Sequence, residues 1–313
     1  MSINLTKKQH YVPKTYLRGW SKDRWNTVRG SSENVRAHFK KQNKSEDRNP
    51  KSIMVKEWLY EEDQNNPNNE IENVFGVYEN KWSPTMSRID ATLDNAIKIY
   101  KEQSSSGKPG ESLNHYLIRT LISMMENFPS IADIIKVFAA ISYFRTPRAL
   151  EIKISELKDD LTVKEQLSSV DMNAWWMATN AFSSTLVDRF RSLNIKFLIA
   201  TEGSFVTCDR PCFDVNLADK NFEPLFGYDI GRVNTVIAYF PLSSRLVALL
   251  VPAEVIINGE PTQSPECDAL VLTKVGVELC NVGVFRTAKE VLVSTTEYAE
   301  LSDIDTDWNI HAI

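Results

Sequence analysis

The stretch NTVIAYFPLSSRLVALLVP (residues 234–252) decides the fold class. Two strand-length apolar runs flank Ser243-Ser244, the two-residue connection of a β-hairpin. Reading outward, IKFLIAT (195–201) and GSFVTCD (203–209) are expected to form a second hairpin across the Glu202-Gly203 turn. Downstream, Val275, Leu279, Val282 and Arg286 fall three or four apart, so DALVLTKVGVELCNVGVFR (268–286) reads as mostly helix, followed by a strand at EVLVST (290–295).

Upstream of 194 the periodicity is helical. Ile71, Phe75, Tyr78, Trp82, Met86, Ile89, Leu93, Ile97 and Tyr100 mark one face of a long helix. Pro84, preceded by Ser83, either starts a new helix with Ser83 as its cap or kinks the existing one. Further helices are expected over Leu113–Phe128, over about 131–146, over a charged run at about 149–168, and through Trp175, Phe182, Leu186 and Phe190. A helical middle followed by an antiparallel β region is the α+β class. The expected organisation is one domain over 1–313, with an N-terminal segment (1–69), a helical part (70–194) and a β-rich part (195–313). VKEWLY (55–60) reads as a short strand or an edge segment, and QNNPNNE (64–70) as a surface loop.

With 313 residues, 42% of them hydrophobic and 25% charged, the composition is that of a globular protein. No apolar run approaches the roughly 20 residues of a membrane span, and MSINLTKKQHYVPK lacks the apolar core of a signal peptide. Four cysteines in so long a chain do not make a disulfide scaffold. A cytoplasmic protein without membrane partners is expected. Charge is unevenly spread: residues 1–60 hold 14 Lys/Arg against five Asp/Glu, the remainder 22 against 36. Such a basic arm either meets phosphate or docks on its own acidic body. Tyr11, Tyr16, Leu17, Trp20 and Trp25 favour docking, because an electrostatic tail has no need of them.

Familiar catalytic signatures are absent. No phosphate loop, GxGxxG, HExxH or GxSxG occurs. The thiols of CDRPC (208–212) have no second pair or nearby His to complete a zinc set, so no metal site and no cofactor are assigned. Glu151-Ile152-Lys153 resembles the tail of a nuclease motif but sits in a charged helical run and reads as a solvated face.

Three residues carry chemistry. His10, between Gln9 and Tyr11, is suited to move protons near pH 7; beside rigid aromatics it can equally fill a pocket and bond a carbonyl. Arg145 lies within about 40° of Ile131 on the face shared by Phe138 and Ser142, so it points inward. A buried guanidinium demands a carboxylate, carbonyls or an anionic ligand. Asp209 ends a strand before Arg210-Pro211, as a turn former or a displayed carboxylate. Arg148 is a further candidate anion contact.

The block Gln9-His10-Tyr11-Val12-Pro13 with Tyr16-Leu17 resembles a widespread microbial family of uncharacterised proteins, a domain of unknown function defined by its HYVP motif. Phe144-Arg145-Thr146-Pro147-Arg148, Phe205 to Pro211, Phe240-Pro241-Leu242-Ser243 and Asn281 follow in that family's order, with Cys208 and Arg210 as departures. The resemblance implies no activity; by association, families of this kind often serve in phage defence or toxin modules.

Two functions stay open at this point. In one, the chain is a phosphodiester-cleaving, nuclease-like hydrolase acting on nucleic acid or a nucleotide. His10, Arg145 and Asp209 would be catalytic, with Gln9, Tyr11 and Arg148 binding substrate. In the other, it is a non-catalytic interaction or ligand-binding protein, with a structural His/Arg/Asp cluster and a protein partner. Arg145 is expected to meet Asp209 or another carboxylate, with His10 in reach of the same pocket.

Overall fold

The computed structural model describes residues 7–22, 33–61, 65, 67–105, 110–147, 150–151, 184–216, 236–257 and 260–295. The fold is α+β, with a helical middle and largely antiparallel sheets. Its centre is a five-stranded sheet of strands β5 (Asn194–Ala200), β7 (Phe213–Asn216), β8 (Val236–Ser243), β9 (Leu246–Val251) and β12 (Cys267–Leu272), in the order β12-β5-β9-β8-β7. The apolar runs are near-continuous because this sheet is covered on both faces. Ile195, Phe197 and Ile199 of β5 and Ala248 and Leu250 of β9 pack into a cluster with the helices; Leu198, Ala200, Val247, Leu249 and Val251 pack into a second cluster on the other side. The two-residue alternation is the strand period.

The β8–β9 hairpin forms, its two-residue connection at Ser244-Arg245 and so one position later than expected, with a register shift between Pro241 and Ser243. A proline in a central strand needs such a bulge, since it cannot donate to the ladder. The expected pairing of 195–201 with 203–209 does not occur. Strand β5 lies between β9 (antiparallel) and β12 (parallel). The second run yields only β6 (Thr207–Cys208), which pairs with β13 (Val291–Ser294) in another sheet. An apolar run such as β5 gains more between two buried neighbours than on the edge of a local hairpin. Similarly, 267–272 is a strand rather than the start of a helix, and α6 (Lys274–Thr287) begins behind the Thr273 cap. That second sheet has the order β3-β2-β13-β6, with β2 (Val35–Phe39) and β3 (Lys44–Arg48) supplied by the N-terminal segment. Strands β10 (Glu254–Ile257) and β11 (Glu260–Gln263) form a separate hairpin.

The long helix α2 (Glu70–Ser105) runs unbroken through Pro84. Pro84 is exposed, so the carbonyl it leaves without a partner faces solvent, and no new helix start is required. Helices α3 (Leu113–Asn127) and α4 (Pro129–Phe144) return along it. Tyr100 meets Tyr116, Arg88 covers Phe128, Trp82 stacks on Phe138 at 4.2 Å and Glu79 meets Arg145. The partners occur in inverse order, the mark of an antiparallel pair. Of the expected helix at about 149–168, nearly all lies outside the described residues, as do Trp175 and Phe182; α5 (Ser184–Arg191) is the described end of the fifth helix.

The basic N-terminal segment docks on the body. Tyr16, Leu17 and Trp20 are fully buried in the main core, alongside residues of α2, α3, α4 and the central sheet. The Tyr16 hydroxyl donates to the Pro241 carbonyl (2.7 Å) and pairs with Thr207 Oγ1 (2.8 Å), and Trp20 Nε1 donates to the Phe205 carbonyl (2.8 Å). Much of the segment's positive charge is met locally: Arg18 by Glu33, Arg36 by Asp47, and Lys44 and Arg48 by Glu46. Among the described residues no helix is long and apolar enough to cross a membrane.

Candidate functional site

Strand β1 (Lys8–His10) pairs antiparallel with β4 (Val55–Glu57), placing Gln9 opposite Lys56 and His10 opposite Val55. Gln9 is fully buried and both ends of its amide are taken: Nε2 donates to Glu61 Oε1 (2.6 Å) and Oε1 accepts from the Tyr60 N–H (2.8 Å). Glu61 also accepts from the N–H groups of Asn68 and Asn69, immediately before α2. Gln9 thus joins the arm to the start of the long helix. Pro13, whose extended backbone cannot continue a helix backwards, precedes the short helix α1 (Lys14–Leu17). This brings half-buried Lys14 and Thr15 against α2, and Thr15 Oγ1 donates to Glu79 Oε2 (3.5 Å).

Arg145 enters from the other side, as the C-terminal cap of α4. Its N–H still bonds the Ile141 carbonyl, so the helical direction carries the side chain inward, and it is 1% exposed. The carboxylates that meet it are Glu79 (Nη1 to Oε1, 2.6 Å) and Glu72 (Nη2 to Oε2, 3.4 Å), two turns apart on α2. The guanidinium lies 4.0 Å from the centre of the Phe75 ring, and its backbone carbonyl accepts from the Tyr60 hydroxyl at 2.5 Å. Arg145 is therefore inward-facing and paired to carboxylates, as expected, but the partners are glutamates of α2 and not Asp209.

His10 belongs to this cluster. Burial lowers its pKa first, the Arg145 charge adds to that, and Glu79 and a bond to the Pro50 backbone oppose it. The imidazole is consequently neutral near pH 7. Its Nε2 is buried and has no hydrogen-bond partner, which is uncommon for a ring nitrogen. Glu72 titrates in the opposite sense: burial pushes its carboxyl up to about 7, against the pull of Arg145. Lys14 acts on both groups and has no ion-pair partner among the described residues. The outcome is a half-buried cluster of side chains between the N-terminal segment and α2. It holds a neutral base, a carboxyl that is part protonated at neutrality and an unpaired cation, over a sealed Arg–Glu pair. Environments that move two titratable groups in opposite directions are what acid–base chemistry requires.

Asp209 stands elsewhere. Its Oδ1 accepts from the Lys289 N–H (3.0 Å) and Oδ2 from the Glu290 N–H (2.8 Å), tying the turn after α6 to the end of β6. Tyr11 is on that side: burial raises its hydroxyl's pKa, with Asp209 and Glu290 adding to the effect. Adjacent residues His10 and Tyr11 thus serve two different neighbourhoods. Arg148 lies outside the described residues. Cys208 and Cys212 are buried free thiols. Among the described residues, no group of three or more His, Cys, Asp or Glu side chains is arranged to hold a metal ion.

Glu72, Glu79 and Lys14 were not singled out by the sequence reading. The signal for the glutamates was present: seven residues apart, they flank the apolar stripe of a long helix, while an inward arginine elsewhere required carboxylates. Lys14 carried no comparable signal, because one lysine among the 14 Lys/Arg of a basic segment is not distinguished by spacing.

The family model described as "Protein of unknown function (DUF4238)" matches residues 8–297. No curated protein and no solved structure matches the chain.

Proposed function

We propose, for a chain that belongs to the DUF4238 family of proteins of unknown function, that the His10–Glu72 cluster is the centre of a phosphodiester-cleaving hydrolase. The observation that carries the reading is a histidine whose Nε2 is buried and unpartnered, set beside the Arg145–Glu79–Glu72 cluster, where the Glu72 carboxyl is pushed up to about 7. In the proposed step His10 Nε2 takes a proton from a water molecule whose oxygen bonds to phosphorus. The phosphorus–oxygen bond to the leaving group breaks, and Glu72 gives its proton to the departing oxygen. The products are a phosphomonoester and an alcohol, and proton return from His10 to Glu72 through solvent restores the site. Lys14 offsets charge developing on the phosphoryl oxygens. Arg145 and Glu79 act as positioning residues, because their charges are already spent on each other and on Glu72. Asp209, both of whose oxygens are occupied, takes no part in this step.

Nucleic acid or a nucleotide is the substrate class this reading favours. Lys8, exposed on β1, and Lys14 are cations without ion-pair partners among the described residues, and a phosphate backbone is bound through such charges. The four free thiols fit a cytoplasmic setting, and a defence or toxin module is the biological context that accompanies it.

A second reading is favoured by one observation: the guanidinium of Arg145 is sealed and already paired with two carboxylates. In that reading the cluster only ties the arm to α2 and α4, and the protein binds a partner without catalysis. Incubation of labelled RNA and DNA with the protein and with His10→Gln separates the two. The enzyme reading expects cleavage lowered at least 100-fold in a folded His10→Gln variant. Equal product from both proteins, or none from either, leaves the binding reading.

A further inference from the structure

Buried polar side chains almost always find partners, yet several that lack one are gathered where α2 and α4 pass each other. Trp82 Nε1, Ser83 Oγ, Ser142 Oγ and Arg145 Nε are buried and unpartnered, as is His10 Nε2. Trp82, Ser142 and Arg145 are each at most 1% exposed. Their placement follows from two contacts, Glu79 with Arg145 and Trp82 with Phe138. Ser142 lies one helical turn from both Phe138 and Arg145, and so faces the Glu79–Trp82 stretch of α2. Indole and guanidinium N–H groups can only donate, so whatever meets them must accept. With Glu72 and Glu79 alongside, a further anion would be repelled; a neutral acceptor fits.

We propose that α2 and α4 enclose a hydration site. Ordered water accepts from Trp82 Nε1 and Arg145 Nε, exchanges hydrogen bonds with Ser142, and reaches His10 Nε2 from the inner side. The second half of this rests on the hydrolase reading above. A buried base nitrogen takes its proton most directly from a water held against it, and the enclosed water is that molecule. The site is therefore the store from which the attacking water is drawn: its oxygen goes to phosphorus and one proton to His10.

The test has two arms. With ¹⁵N-tryptophan-labelled protein, assigned through Trp82→Phe, the Trp82 indole proton should show direct magnetisation exchange with water despite its burial. An indole proton with no water contact overturns the hydration site, whatever the protein's activity. In the second arm, Ser142→Ala should lower phosphodiester kcat at least tenfold with KM and melting temperature little changed. Unchanged kcat in Ser142→Ala, in a protein whose wild type is active, overturns the supply role. Should the wild type itself show no turnover, the hydrolase reading fails, and the supply role with it, while the indole measurement still decides the hydration site.

Discussion

At Arg145 the geometry is two-pronged, and the guanidinium plane is what reaches Glu79 and Glu72 together. A lysine offers a point charge that cannot span both, so Arg145→Lys should lose about 2 kcal/mol in urea unfolding. Arg145→Met leaves two carboxylates facing each other without a counter-charge and should cost about 3–5 kcal/mol. Adding Glu72→Gln and Glu79→Gln should recover much of that loss, since no buried charge then remains. Wild-type stability in Arg145→Met would show that the cluster does not hold the arm. Glu72 makes a second prediction, about pH. Its carboxyl is raised from the ordinary 4.5 to about 7, so between those values the folded protein binds more protons than the unfolded chain. Stability from this group is therefore fully present below about 4.5 and is lost as pH rises to about 7, by up to ~3 kcal/mol. His10, lowered from 6.5, acts in the opposite sense, losing stability as pH falls. The difference between Glu72→Gln and wild type isolates the glutamate: the variant should gain relative stability across pH 4.5–7, seen in paired thermal melts. A pH-independent difference would place Glu72 in a solvated environment.

At the scale of elements, legibility followed the range of the interaction that decides each one. The β8–β9 hairpin and the helices were readable because their period and their turns are local. Strand β5 was readable as a strand, but its neighbours were not. Its partners β9 and β12 begin about 50 and 70 residues further on, and only the burial of both sheet faces chooses them. The candidate site divides in the same way. The periodicity of α4 gave the inward direction of Arg145, whereas the identity of its carboxylates depended on α4 running back along α2. Asp209 was readable as a residue at a strand end but not as the tie between β6 and the turn into β13. That assignment predicts that Asp209→Ala costs about 1–3 kcal/mol, by stranding the N–H groups of Lys289 and Glu290. Turnover per folded molecule should be unaltered, measured as kcat below the melting transition. A kcat lowered tenfold or more in folded Asp209→Ala would return Asp209 to the catalytic set.

Across the whole molecule, one apolar cluster draws on the N-terminal segment, α2, α3, α4 and the central sheet. The N-terminal segment supplies Tyr16 and Trp20 to that core and His10 to the cluster around the Arg–Glu pair. Residues far apart in sequence meet there: Tyr16 with Thr207 and Pro241, Trp20 with Phe205. Most of these residues are thus accounted for by folding. The remainder, His10 and Arg145, converge on Glu72 and Glu79, and the functional reading rests on that remainder. Its most direct test is the pH dependence of phosphodiester kcat/KM in wild type and Glu72→Gln. The reaction needs neutral His10, so rate should rise with pH through a value below 6.5. It also needs protonated Glu72, so rate should fall above about 7. The account predicts a narrow bell in the wild type, and in Glu72→Gln a lower rate without the alkaline fall. A profile flat from pH 5 to 9, or an alkaline limb unchanged in Glu72→Gln, would contradict it.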